Sequence, residues 1–400
     1  MEAPLPNLHL TFPSSPQTPT YIQPPEARTR EYLEERLKDL IDQVIPPDGG
    51  AGGNPSITLT RRANNADCVY RVSPQSGALE CTGGETRVTY KWPGSDAHEA
   101  WRFNVIVVLL AAIQEAMRSG VNISTRDIYY TNPELFNSQG VVNRYIDDLA
   151  FTIGVERSDL NVEAAAKGLV AGYYRLAAPD GRITDYQELL KECLVPRIQD
   201  IVELDTSQIN WVLVIEKEAV FRRLAQSNFH IHSAVGKGIL ITGKGYPDLR
   251  TRAFIRKIYD ATLLTRQTNP VRFYALVDSD PDGMSIMSVY KYGSMAHARD
   301  NAGLNIPSLR WLGLRMSEVV NGLGAMSDEA LIPLTERDRR GITQRLARNP
   351  VFAVGGPEVE WRVEMQRMLM LNVKAEIEIL YDREEGLEGW IGREMVRLAK

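Results

Sequence analysis

The stretch VRFYALVDSDPDGMSIMSVYKYGS (271–294) begins as a short unbroken apolar run, breaks at an acidic turn, and resumes at helical spacing. An apolar run with no polar alternation is a strand buried on both faces, which means a sheet covered by helices. Two other segments repeat the scheme. NWVLVIEKEAVFRRLAQ (210–226) runs from an apolar strand through Glu216 into a helix. GILITGKGYPDLRTRAFIRKIYDA (238–261) runs from a strand through a glycine-rich loop into a helix, and LRWLGL (309–314) reads as a fourth strand. Strands alternating with helices predict a parallel sheet. In such sheets ligands bind beyond the carboxyl ends of the strands. Glu216, Asp278 and Asp280 all fall there.

Three carboxylates at one sheet edge repel one another unless a cation lies between them. Hard oxygen ligands suit Mg²⁺ or Mn²⁺, which keep waters and bridge to phosphate. The competing expectation is that Asp280 or Asp282 caps the following helix; capping leaves Asp278 and Glu216 unexplained. Asp282 is either a further ligand or a cap.

Two tempting motifs carry less. GILITGKG (238–245) nearly spells a nucleotide P-loop, but it ends in Gly245, and its would-be loop is itself a strand. GKGYPD therefore reads as a loop whose backbone and Lys244 approach DNA phosphate, or whose lysine is simply exposed. FHIH (229–232) would place two histidines on one face of a strand, with no third ligand nearby, so a structural role is expected.

Upstream, SDAHEAWRFNVIVVLLAAIQEAMRSG (95–120) predicts a long buried helix, N-capped by Ser95 or Asp96 and stopped at Gly120. STRDIYYTN (124–132) predicts a short helix from Ser124, and NSQGVVNRYIDDLAFTIG (137–154) a third. KGLVAGYYRL (167–176) turns strand-like. Three helices and then a β-ribbon is the order of a winged helix-turn-helix, a unit suited to duplex DNA that also serves as a protein-interaction fold. Within it, Arg126 and Tyr130 are four apart and share a helix face, while Tyr129 turns about 100° away. One phenol can pack while the other stands beside a fixed positive charge. A free tyrosine ionises near pH 10, so its phenolate at pH 7 costs about 4 kcal/mol. A guanidinium and a metal offset much of that, and a phenolate attacks a carbonyl or a phosphorus.

The 400 residues predict two folded domains plus tails. With 44% hydrophobic and 24% charged residues, the composition is that of an ordinary globular protein. No stretch reads as the roughly 20 apolar residues that span a bilayer. The N-terminus lacks the basic and apolar regions of a secretory signal. The chain divides into a proline-rich tail expected to be disordered (1–28) and an N-terminal helix with a Gly/Pro-rich loop (29–94). The winged-helix domain (95–176), a linker (177–209) and the sheet domain with a C-terminal helical extension (210–400) follow. Cys68, Cys81 and Cys193 lack zinc spacing and are expected to be reduced. The net charge is −5. Residues 1–60 carry a net −4, from eight acids and four bases, and residues 242–272 a net +5, from seven bases and two acids. That asymmetry fits either a basic working surface in 242–272 or a solvated helix face.

Taken in order, TRDIYYTNPELF (125–136), KGLVAG (167–172), VIEKEAVFRRL (214–224), ITGKGYPDLRTR (241–252), VDSDPDG (277–283), YKYGSM (290–295), RWLGL (310–314), LIPLTERD (331–338) and KAEIEIL (374–380) carry a resemblance. Over about residues 100–380 the chain resembles the A subunit of type IIB topoisomerase (topoisomerase VI). It resembles more specifically the Spo-eleven family of meiotic recombination proteins. The resemblance implies a fold that is α/β with α+β: an N-terminal winged helix-turn-helix domain followed by a Toprim domain, a Rossmann-like parallel sheet. It implies Tyr130 as the nucleophile with Arg126 beside it, and Glu216, Asp278 and Asp280 as ligands of Mg²⁺ or Mn²⁺. Lys244 and Arg126 are the expected DNA contacts.

The implied activity is metal-dependent transesterification. Tyrosine attacks a backbone phosphate, the 3′-hydroxyl leaves, and the protein stays bonded to the 5′ end. Each site pairs one protomer's tyrosine with the other's metal. Implied partners are double-stranded DNA, a second copy of the chain, meiotic break-machinery proteins, among them a WD-repeat protein, and a topoisomerase VI B-like subunit, with no membrane. The implied location is the nucleus, on meiotic chromosomes. A type IIB topoisomerase A-type chain that reseals DNA, and a catalytically silent DNA-binding scaffold, are the alternatives.

Overall fold

The structure is a computed structural model describing residues 23–62, 68–163, 166–187, 192–264, 270–298, 301–322 and 331–399. Two compact units emerge. One is formed by residues up to Arg61 together with Arg87–Glu163, the other by Arg62–Thr86 together with Ala164 onward.

The first unit is built on helices. Helix α1 (Pro25–Val44) starts with Pro25 at its first position, where the missing amide donor costs nothing, and buries Thr29, Leu33 and Leu40. The tail expected to be disordered over 1–28 is therefore helical from residue 25; residues 1–22 lie outside the described residues. Helix α2 (Ala97–Ser119) is capped by Asp96, whose carboxylate accepts the Glu99 amide, and stops at Gly120, which has φ 65°. By length and composition α2 is apolar enough to cross a membrane, contrary to the expectation that no stretch is. It buries Phe103, Val105, Ile106, Leu109, Leu110 and Ile113 in the unit's core, as the central helix of a packed bundle does. Helices α3 (Thr125–Thr131) and α4 (Gln139–Ile153) pack beside it, α4 closed by Gly154 at φ 76°.

The β-ribbon assigned to this unit is elsewhere. Leu169–Gly172 pairs antiparallel with Gly238–Thr242, from Gly172 opposite Ile239 to Leu169 opposite Thr242, and so belongs to the second unit. The first unit has instead a two-stranded pair, Ser56–Arg62 with Glu85–Lys91. Nor is 177–209 a bare linker. Arg175–Ala177, Ile183–Asp185 and Glu203–Asp205 form a three-stranded antiparallel sheet.

The second unit holds a six-stranded sheet of β1 (Leu169–Gly172), β2 (Cys193–Leu194), β3 (Trp211–Ile215), β4 (Gly238–Thr242), β5 (Arg272–Leu276) and β6 (Arg310–Gly313). Their spatial order is β2-β1-β4-β3-β5-β6. The four strands read from the sequence, β3 to β6, are parallel to their neighbours in that group. All residues of β3 and β4 are buried, which is why they read as unbroken apolar runs. Helices α5 (Glu218–Gln226), α6 (Leu249–Leu264) and α7 (Pro281–Tyr292) follow β3, β4 and β5, and α8 (Glu336–Arg348) and α9 (Val359–Leu371) come later in the chain.

Three further expectations change. FHIH is a helical turn, Phe229–His232, and buried His230 has its pKa pushed down to about 4, by burial first and then by His232. Cys68 and Cys81 form a disulfide, contrary to the expectation of reduced thiols; the hairpin that sets Tyr70 opposite Cys81 brings them together, and Cys193 stays free. The expected basic surface of 242–272 is largely turned inward. Arg252 is buried against Asn301, Arg256 binds Asp260 and two backbone carbonyls, and Lys257 and Arg272 donate to the carbonyls of Ile201 and Ala399. Arg266 lies outside the described residues.

Candidate active site

Helix α3 holds the paired tyrosines. Ser124 caps it, accepting the Asp127 amide, while the Asp127 carboxylate reaches back to Ser124. That box fixes the start of a helix only seven residues long, and buried Thr125 and Ile128 hold one face on the core. Tyr129 packs partly buried against the same core. Tyr130 is 58% exposed. Arg126 Nη2 donates to Tyr130 Oη at 3.3 Å, and its guanidinium stands 5.6 Å from the ring centroid. The sequence reading of one packing phenol and one beside a cation describes what the helix presents.

In the second unit, the ends of β3 and β5 bring Glu216 and Asp278 together. Glu216 Oε2 accepts the Asp278 amide at 2.9 Å, and the Glu216 amide donates to Leu276 O. Asp278 Oδ1 accepts the Ile377 amide at 2.8 Å. Asp280 N-caps α7, accepting the Gly283 amide at 2.7 Å, with Pro281 at the first helical position. Gly283 is there because nothing larger fits. A Cβ would stand 2.4 Å from Asp278 O and 3.0 Å from Glu216 Oε2. Asp282 is not the cap. Its Oδ1 accepts Arg345 Nη2 at 2.7 Å and the Tyr246 hydroxyl at 3.3 Å.

Burial raises all three carboxyl pKa values, and repulsion from neighbouring acids adds to it. Glu216 is pushed up to about 8 by burial and then by Asp278. Asp278 is pushed up to about 6 by burial, with Lys217 and the Ile377 amide pulling the other way, and Asp280 is raised by burial. Carboxylates in this state take either protons or a cation. The donor chemistry fits a hard divalent ion. Among the described residues, however, no three such side chains are gathered in metal-holding geometry.

Sequence reasoning missed the group that stands at the acids now. Lys217, next to Glu216, places Nζ 3.2 Å from Asp278 Oδ2, 3.0 Å from Glu376 and 2.6 Å from Glu378. Burial works against its charge, but those carboxylates hold its pKa well above the usual lysine value. The signal was the acids of KAEIEIL, a segment held to Ser279 by a bridge at Ala375 before it turns into a short 3-10 helix over Ile377–Leu380. Lys244 has φ 53°, is half-buried and lies 3.2 Å from Glu218.

Against known proteins, residues 211–386 match the Toprim domain of the family that joins Spo11 with the A subunit of topoisomerase 6, and residues 101–162 match type IIB DNA topoisomerase. The human meiotic recombination protein SPO11 is 37% identical over 350 residues, 87% of this chain and 82% of the relative. This chain belongs to the Spo11/topoisomerase 6 A-subunit family. The fission yeast meiotic recombination protein rec12 (Schizosaccharomyces pombe) is 32% identical, covering 90% of this chain and 93% of its own. The A3 subunit of rice DNA topoisomerase 6 (Oryza sativa subsp. indica) is 32% identical over 72% of this chain and 62% of its own. The acids at the sheet edge thus lie in a Toprim domain, and the paired tyrosines lie within the segment matched to type IIB topoisomerase.

Proposed function

We propose that this protein initiates meiotic recombination by cutting both strands of DNA as a type IIB topoisomerase-like transesterase. Tyr130 Oη attacks a backbone phosphorus. The new O–P bond forms as the P–O3′ bond breaks; the phenol proton passes to solvent, and the 3′ oxygen takes one from solvent. The product is a 5′-phosphotyrosyl link. Arg126 stabilises the phenolate and then the phosphate charge. A divalent ion, Mg²⁺ or Mn²⁺, would be held by Glu216, Asp278 and Asp280 and would supply charge neutralisation at the phosphate. Lys244 and Arg126 contact the DNA.

The observation that carries this reading is the exposed Tyr130 hydroxyl 3.3 Å from Arg126, in a chain whose second unit sets Glu216 and Asp278 at adjacent parallel strand ends. Helices α2 to α4, with the strand pair of the first unit as ribbon, serve as the winged-helix platform. Two copies assemble on duplex DNA, one tyrosine per strand. They are joined on chromosomes in the nucleus by other break-machinery proteins, a WD-repeat protein among them, and by a topoisomerase VI B-like subunit. Mapping the DNA-linked peptide tests the reading. Tyr130→Phe should bind duplex and lose the covalent adduct, and Tyr129→Phe should keep it. Adduct from Tyr130→Phe, lost instead in Tyr129→Phe, would reverse the assignment.

A further inference from the structure

Directly past Asp280 is a pocket of about 370 Å³ lined by Pro281 and Asp282 and, from α8, by Arg337, Asp338, Arg340, Gly341, Gln344 and Arg345. Its floor is a clamp between α8 and the first turn of α7. Arg345 donates to Asp282 and also to Ser285 Oγ, and it reaches them by lying across Gly341, where a Cβ would stand 2.5 Å from its Nη1. Glycine inside a helix costs about 1 kcal/mol relative to alanine, so Gly341 marks a crossing that needs the space. The pocket's two acids are engaged by cations: Asp282 by Arg345, and Asp338 by Lys374 at 3.1 Å. Two guanidiniums at the mouth are left. Arg337 makes no ion pair with a described residue, and Arg340 has only Glu336 at 3.5 Å, both side chains being largely exposed.

We propose that this pocket seats a DNA backbone phosphate next to the one being cut, held by Arg337 and Arg340. This rests on the DNA-cleavage reading above. Three features favour a nucleic-acid phosphate. The pocket opens one residue from Asp280, so a strand whose phosphate lies at the acids passes it. Its unmatched charge is positive, which attracts a phosphate that the neighbouring acids on their own repel. The fork of a guanidinium matches two phosphate oxygens. The basic stretch that looked suited to this task, 242–272, is mostly bonded internally, whereas α8 carries five arginines and two acids.

The test is fluorescence-anisotropy titration of a short duplex by the full-length protein over a salt series. Arg337→Gln/Arg340→Gln should bind more weakly, with a log K against log salt slope shallower by about one, the share of one phosphate contact. Arg337→Lys/Arg340→Lys should keep the wild-type slope. A Gln double variant with wild-type affinity and slope, beside a wild type that binds and forms adduct, overturns the pocket alone. A wild type that neither binds duplex nor forms adduct overturns the functional reading, and the pocket with it.

Discussion

The ammonium of Lys217 lies 3.2 Å from Asp278 Oδ2, while Glu216, its neighbour in sequence, holds the Asp278 amide from the other side. One dipeptide thus grips one aspartate by backbone and side chain at once. Lys217 also ties Asp278 to Glu376 and Glu378, so a single ammonium is shared by three carboxylates and offsets only part of their charge.

Replacing that cation should expose the repulsion it conceals. Lys217→Met is expected to lower stability without metal by about 1–2 kcal/mol, a value kept small because Glu376 and Glu378 are partly exposed. Mg²⁺ should then raise the melting temperature of the variant more than that of the wild type, since it fills the charge the lysine supplied. Thermal unfolding with and without Mg²⁺ reads both. An equal metal shift in the two proteins would mean that Lys217 and the ion do not share the site.

Proton release on metal binding gives a second check. Glu216 is raised to about 8 and Asp278 to about 6, both above their unfolded values. The folded form therefore binds more protons than the unfolded one from about pH 4 to 8. Without metal, these groups cost stability as pH rises through that window. Metal must displace the protons, so its affinity should climb from pH 6 to pH 8 and level off above. Calorimetry at pH 7 in two buffers of different ionisation heat should find about one proton released per ion. No buffer dependence would rule out Glu216 as a ligand.

Two glycines should respond in opposite ways to the same substitution. Gly283→Ala puts a Cβ against Asp278 O and Glu216 Oε2. It should cost about 1–3 kcal/mol and weaken metal binding. Gly392→Ala, inside helix Gly386–Ala399 with open space around it, should stabilise by about 0.5–1 kcal/mol and leave metal binding alone. Denaturant unfolding compares them, and a harmless Gly283→Ala would show that the α7 turn does not need to approach Asp278 so closely.

What the sequence disclosed depended on how local each signal was. The parallel strands and the acids at their ends were legible because burial on both faces leaves unbroken runs such as WVLVI, with Glu216 next after it and Asp278 two residues past Leu276. Helix α3 was legible because Ser124, Asp127 and the Arg126–Tyr130 spacing all lie within seven positions. KGLVAG was correctly strand-like, yet its partner Gly238–Thr242 is some 70 positions away, and strand pattern carries no address. The same distance hid Lys217, whose partners Glu376 and Glu378 lie about 160 positions on. Charge counting over 242–272 misled because the bonds that consume those cations run to backbone carbonyls, which no tally of side chains registers.

Assembly is the last question the geometry sharpens. Tyr130 stands in one compact unit and Glu216, Asp278 and Asp280 in the other. If each cut used the tyrosine and acids of a single chain, a lone protomer would nick DNA. If each cut pairs one protomer's tyrosine with its partner's acids, two-fold symmetry yields one break in each strand. Mixing Tyr130→Phe protein with Glu216→Gln protein separates the two. With shared sites, a mixed dimer holds one composite site with both its tyrosine and its acids intact, and one that lacks both. It should nick a single strand and leave adduct only on the Glu216→Gln chain, while each variant alone stays inactive. With sites built within one chain, every site in the mixed dimer lacks one part, and no nick forms. Tagging the two variants differently shows that mixed dimers are present, so absence of nicking from them would sink the shared-site arrangement.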